Sequence, residues 1–274
     1  MNTVDNVARI LRLFTPERGV LSVTEVAQQL GLPKSSTSRL LKAMAEAGLL
    51  ASADGTTGYA VGNLIFETSR RHRVNSTLSL AADEALMRIV KATGHTGYVA
   101  MLDGTVVLGL RMRPGSKPLR VVTSPGDRLP AFSCSTGRAM LARLDDAAVR
   151  ARYTAPLEPP SPNAPQTVDE LLAALAVVRD KGWSMATDES LPGVESIAVC
   201  VEDPEGSERV AICISYSAAM ISANEKTRIV TLLMRAGCEL GLKFDDEFWA
   251  APRFSAFAAR RGPKPLEGMA RHVS

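Results

Sequence analysis

Residues 22–46 constrain this chain more than any other stretch. Ser22-Val23-Thr24-Glu25 has the form of a capping box, in which a serine and the glutamate three residues on satisfy each other's backbone amides. It opens a short helix through Leu30, with Val23, Val26, Ala27 and Leu30 facing inward. Gly31 suits the turn that stops this helix, and Pro33 suits the first turn of the next. There Pro33, Thr37, Leu40, Leu41 and Met44 recur at spacings of 3 and 4, while Lys34, Ser35, Ser36, Ser38, Arg39 and Lys42 fall outside that stripe. Small hydroxyls let a helix approach a major groove, and long cations reach phosphates and guanine edges. Helix, glycine turn and polar-faced helix make a helix-turn-helix. An ordinary pair of surface helices would share the pattern, so the flanking sequence decides.

Upstream, Val4, Val7, Ile10, Leu11 and Phe14 give an apolar stripe to a first helix from about Thr3 to Phe14. Downstream, Gly48 is a helix stop. Leu49–Ser52, a turn at Asp54-Gly55-Thr56-Thr57-Gly58 and Tyr59–Gly62 read as a hairpin. Three helices and a hairpin predict a winged helix-turn-helix over residues 1–62. The wing tip is uncharged apart from Asp54, so it would touch a DNA backbone through amides and hydroxyls.

Together, Val7-Ala8-Arg9-Ile10-Leu11, the run from Leu30 to Leu41, Ala47-Gly48-Leu49 and Tyr59-Ala60-Val61-Gly62 resemble the amino-terminal domain of IclR-type bacterial transcription regulators. Thr37 departs from the apolar residue usual there, although its methyl group can face the core.

At 274 residues the chain has room for two domains. The net charge of +3 is mild, so any electrostatic case for DNA must be local. Cys134, Cys200, Cys213 and Cys238 show no CxxC spacing, and His72, His95 and His272 show no metal-ligand spacing with them. Free thiols in a reducing cytosol are expected, with no metal and no cofactor. No leader pattern and no long apolar run is evident, which predicts a cytoplasmic protein with no membrane contact.

Residues 63–94 read as a helical linker, with Arg70-Arg71-His72-Arg73 in the middle and a break near Asn75-Ser76-Thr77. A second domain is expected over 95–244. Strands at Thr96–Leu102 and Thr105–Arg111 flank Asp103-Gly104, a strong hairpin signal, and Leu119–Val122 is another strand. A small-residue loop enters a helix at Ser135, and a proline-rich surface connection runs from Pro156 to Pro165. Capping boxes at Thr167–Glu170 and Ser222–Glu225 open two further helices, with strands at 183–186, 196–201 and 209–216 between them. Separated helices and strands predict an α+β domain with an antiparallel sheet. The basic stretch 245–274 reads as a partly disordered tail.

Two features of the second domain point to a small-molecule site. At Ser135-Thr136-Gly137-Arg138-Ala139 a helix start offers backbone amides to an anion, Gly137 permits close approach, and Arg138 could pair with a carboxylate. In the strand 211–217, Ala211, Cys213, Ser215 and Ser217 share an all-small face opposite Ile212, Ile214 and Tyr216. That face leaves room for a ligand or for a closely packed helix. The IclR resemblance continues through Arg128–Phe132, Thr136–Ala142, Val177–Trp183, Asp188–Ala198 and Ile214–Ser217, and spans roughly Thr3 to Gly241. It implies a GAF-like effector domain in which Gly137 and Arg138 supply main-chain donors. Asp188 would lie beside the ligand, and Ser196, Ser215 and Ser217 would bond its polar end. Ser196 and Arg138 stand where many members have cysteine and lysine.

The expected function is a ligand-responsive regulator, a repressor by preference. As a homodimer or homotetramer it would bind an operator through Lys34, Ser35, Ser36, Ser38 and Arg39, and it would bind a compact carboxylate. The alternatives are a ligand-independent DNA-binding dimerisation protein and a thiol hydrolase using Cys134, whose domain body holds only His95 as a partner.

Overall fold

The computed structural model describes residues 2–15, 18–53, 57–69, 76–119 and 124–258. The chain divides into two compact units, Met1–Ser76 and Thr77–Ser274.

In the first unit, helix α1 (Thr3–Leu11) is opened by Asn2 in a capping box with Asp5. It is shorter than its apolar stripe: Phe14 lies past its end and Val4 is exposed, leaving Ile10 as its buried residue. Strand β1 (Val20–Ser22) leads into α2 (Val23–Leu30), which Ser22 and Glu25 cap reciprocally. Gly31 then turns the chain at φ +65°, a conformation that favours glycine. Helix α3 (Lys34–Glu46) buries Thr37, Leu41 and Met44. Pro33 sits one residue before this helix, not within it. The Thr37 hydroxyl donates to the Pro33 carbonyl at 3.1 Å, which is how a polar residue survives full burial. Strands β2 (Leu50–Ser52) and β3 (Gly58–Val61) form the wing hairpin, and β1 adds to it in the order β1-β3-β2. The turn residues 54–56 lie outside the described residues. Ile10, Leu21, Val26, Leu41, Met44 and Leu50 make the core.

The helices expected on either side of a break near residues 75–77 are α4 (Asn63–Ser69), in the first unit, and α5 (Thr77–Thr93), in the second. Ten residues of α5 are buried, so it is a core helix. Arg70–Arg73 and Asn75 fall outside the described residues.

The second unit is built on an antiparallel sheet in the order β6-β5-β4-β9-β8-β7. Its strands are β4 (Thr96–Asp103), β5 (Val106–Arg113), β6 (Arg128–Pro130), β7 (Ser184–Thr187), β8 (Val194–Glu202) and β9 (Arg209–Ser217). Gly104 and Thr105 make the tight β4–β5 turn, one residue later than the sequence signal at Asp103-Gly104, with Asp103 paired to Val106 and Gly104 at positive φ. Helices α5 and α9 (Ala223–Lys243) pack on one face. Gly97 lets α5 approach, since a Cβ there would lie 2.3 Å from Leu86. On the other face, α6 (Ser135–Leu141) and α8 (Val168–Lys181) share a core with Ala100, Ala198, Ala211 and Cys213. A short helix, α7 (Asp146–Arg152), is capped by Asp145, whose Oδ1 accepts from the Ala148 amide at 2.7 Å. The strand expected at 119–122 lies mostly outside the described residues.

The chain after α9, read from sequence as the start of a partly disordered tail, is packed up to Phe254. Trp249 and Phe254 are buried, and Trp249 seats against Gly237 and Gly241, where any Cβ would collide with its ring. Its Nε1 donates to the Cys200 carbonyl at 2.9 Å. Residues 259–274 lie outside the described residues.

Candidate functional site

The outer face of α3 carries Lys34, Ser35, Ser36, Ser38 and Arg39, all exposed, while Thr37, Leu41 and Met44 anchor the helix beneath them. All five residues singled out from the sequence therefore share one accessible surface. Lys42 pairs with Glu46 at 4.0 Å along the same helix.

The second unit holds a cavity of about 80 Å³ between the sheet and the start of α6. A single water needs roughly 10–15 Å³ of such space, so this one admits several waters or a compact ligand. Ser196 and Ser215 face each other across the β8–β9 register and line it, with Ser135 and Thr136 of α6. Ser135 Oγ lies 2.7 Å from Ser196 Oγ, and 3.7 Å from Cys213 Sγ. Tyr98, Val107 and Leu129 add an apolar wall, and Ser124, Asp127, Glu189 and Ser190 complete the polar part. The alternation along β9 thus serves both purposes: α6 packs against its small face, and the cavity takes what remains.

Four expected ligand residues do not line the cavity. Gly137 serves packing, because a Cβ there would lie 2.0 Å from the Ala131 carbonyl, and its amide donates to Cys134 Sγ at 3.4 Å. The Arg138 amide bonds the Cys134 carbonyl at 3.0 Å. Its guanidinium is buried and pairs with Glu189 through both nitrogens, with one Nη2–Oε1 distance of 2.7 Å, and also donates to the carbonyls of Phe132 and Met185. Asp188 takes a positive φ, and its Oδ1 accepts from the Gly193 amide at 2.5 Å. It shapes a loop whose carbonyl also holds Ser161 of the proline-rich connection. Ser217 sits at the end of β9. Of the helix-start motif, Ser135 and Thr136 line the cavity, and Gly137 and Arg138 do not. Glu189 and Ser190 lay beside the residue chosen, whereas Asp127 and Tyr98 had no local signal at all.

The thiols do not make a nucleophilic site. Burial pushes Cys134 up and Cys213 up to about 11, which suppresses the reactive thiolate. His95 belongs to another cluster: its Nε2 lies 3.4 Å from Glu225 Oε1 and 3.4 Å from Lys117 Nζ. Burial, then the Lys117 charge, lowers its pKa. Beside it the Tyr216 hydroxyl donates to Glu195 at 2.7 Å, and Lys226 pairs with the same carboxylate at 2.8 Å. Burial pushes the Glu195 carboxyl up, and the bonds from Lys226, Tyr216 and Thr187 outweigh it, leaving it below the usual range.

Comparison with known proteins settles the class. The model of the bacterial transcriptional regulator IclR C-terminal domain matches residues 73–240, and that of the IclR helix-turn-helix domain matches residues 3–54. The chain belongs to the IclR family. The Pca regulon regulatory protein of Pseudomonas putida is 25% identical over 234 residues, covering 84% of this chain and 80% of that protein. The transcriptional repressor IclR of Escherichia coli K12 is 24% identical over 239 residues, covering 86% and 87%. In fold, an IclR homologue from Microbacterium hydrocarbonoxydans complexed with 4-hydroxybenzoate matches with a TM-score of 0.75 and 19% identity over 89% of this chain and 99% of that one. As an IclR-family member the chain is a DNA-binding transcription regulator with a C-terminal effector domain, not an enzyme. No helix among the described residues is long and apolar enough to cross a membrane.

Proposed function

We propose that this IclR-family regulator is a repressor whose effector, a small organic acid or related metabolite, binds the cavity between the sheet and α6. The observation that carries this reading is the cavity itself, walled by Ser135, Ser196 and Ser215. Hydroxyls at that position can bond a carboxylate or carbonyl oxygen without charge. The E. coli and Salmonella relatives named as repressors, and the structural neighbour complexed with 4-hydroxybenzoate, lean the same way. Operator contact is assigned to Lys34 and Arg39 first, with Ser35, Ser36 and Ser38 beside them. The protein would act as a homodimer or homotetramer on a pseudopalindromic site, since two-fold protein symmetry is mirrored in such DNA. Acting on DNA, it would work in the cytoplasm. A thermal-shift screen of small organic acids, followed by operator binding with and without each hit, tests the reading. At least one acid should stabilise the protein and lower operator affinity, and Ser196→Ala with Ser215→Ala should remove that response while operator binding persists. Hits that leave operator binding unchanged would refute it.

A further inference from the structure

We propose that the effector presents a hydrogen-bond donor, a hydroxyl or an ammonium group, to the acceptor-only wall formed by Glu189, Ser190 and Asp127. This rests on the effector reading of the cavity. None of the described residues lining the cavity is a lysine, arginine or histidine, whereas two are carboxylates. Arg138 stands behind one of them. Its guanidinium is occupied by Glu189 and by the Phe132 and Met185 carbonyls, so it holds the Glu189 carboxylate in place without reaching the cavity.

A count of donors and acceptors makes the requirement specific. An ionised carboxylate only accepts, and each of its oxygens has lone pairs left after one bond. The Ser190 hydroxyl donates to the Ser133 carbonyl at 2.6 Å, so its oxygen can only accept toward the cavity. Asp127 accepts the Ser124 amide through Oδ2 at 2.6 Å, leaving Oδ1 as another acceptor. Elsewhere in the wall the balance reverses. Ser135 and Ser196 share one bond between two hydroxyls, which leaves one proton to offer. A ligand with acceptor oxygens alone would satisfy the serines, strip water from Glu189 and Ser190, and put nothing in its place. A group hydrogen-bonded to a buried charge is costly to leave unpaired. The class that fits is therefore a compact molecule with an acceptor oxygen at one point and an O–H or N–H at another, such as a hydroxy acid or an amino acid.

The test is calorimetric titration of the full-length protein with two matched series. One is benzoate, 4-methoxybenzoate, 4-hydroxybenzoate and 4-(aminomethyl)benzoate; the other is hexanoate with its 6-methoxy, 6-hydroxy and 6-amino derivatives. In at least one series the hydroxy or amino compound should bind about tenfold or more tighter than its methoxy counterpart, which accepts but cannot donate. The hydroxy and amino arms tell the two donors apart. Asp127→Asn, at an exposed turn, should narrow that gap, and Glu189→Gln should narrow it further. Because Glu189→Gln also removes the partner of a buried arginine, the methoxy comparison in the unaltered protein and Asp127→Asn decide the matter if that variant does not fold. Equal binding of methoxy and hydroxy compounds would overturn the inference and leave the effector reading standing. Binding of no compound in either series would overturn the effector reading, and the inference with it.

Discussion

The double substitution Lys34→Ala with Arg39→Ala offers the sharpest test of how the first unit meets DNA. Both side chains are exposed on α3, and neither is ion-paired among the described residues, so their removal should leave folding intact. If each contacts one phosphate, a dimer loses four contacts. Each contact adds about 0.9 to the slope of log affinity against log salt, so the slope should flatten by about 3.6. Between about 50 mM and about 200 mM salt the variant should lose roughly two decades less affinity than the native protein. At about 0.1 M salt the same term amounts to between three and four decades, or about 5 kcal/mol. The assay is fluorescence anisotropy with an operator selected from random sequence by the native protein, repeated at four salt concentrations. Lys42→Ala, on the same helix but paired with Glu46, is the control. An unchanged slope with an unchanged melting temperature would refute the placement of these two residues on DNA.

Arg138→Ala should destabilise the second unit by about 3–5 kcal/mol, because it strands the Glu189 carboxylate, while Arg138→Met with Glu189→Leu should recover most of that loss. Urea unfolding followed by tryptophan fluorescence reports on this unit, since Trp183 and Trp249 are the only tryptophans; a loss below about 1 kcal/mol would contradict the buried-pair role. Acid sensitivity should trace in part to His95. Its folded pKa is depressed, so the unfolded chain takes up the proton first, and stability complete above about pH 6.5 is lost as pH falls from there toward the folded value. Melting curves at pH 7.5 and 5.5 should show a smaller drop for His95→Gln than for the native protein, and equal drops would remove His95 from the account.

Periodicity was a reliable guide where one face of an element is buried and the other is wet. The stripe Thr37, Leu41 and Met44 and the polar face of α3 were legible because a single helix decides both. Along β9 the alternation still separates Ile212, Ile214 and Tyr216 from Ala211, Cys213 and Ser215, although both faces are buried. Capping boxes at Ser22 and Ser222 marked helix starts to the residue. Strand β1 was hidden because three residues that pair with β3 carry no period of their own. The packed segment after α9 was hidden because its arginines suggested solvent, while its aromatic residues find glycines only once α9 has formed. That Gly137 and Arg138 do not line the cavity has a related reason. Amide and guanidinium chemistry in a motif says what a residue can bind, and only the neighbours decide what it does bind.

The sequence alone therefore determined the class: a winged helix-turn-helix with a cationic outer face, joined to an antiparallel-sheet domain with a small-faced strand. These are properties of local spacing, and spacing survives without coordinates. Tertiary structure decided which groups face the cavity. Glu189 reaches it while Asp188 turns back to Gly193, and Arg138 is used up behind Glu189 without serving a ligand. A cavity is what packing leaves over between β8, β9 and α6. Its sign and its donor balance depend on partners brought together from distant parts of the chain, which no single stretch records.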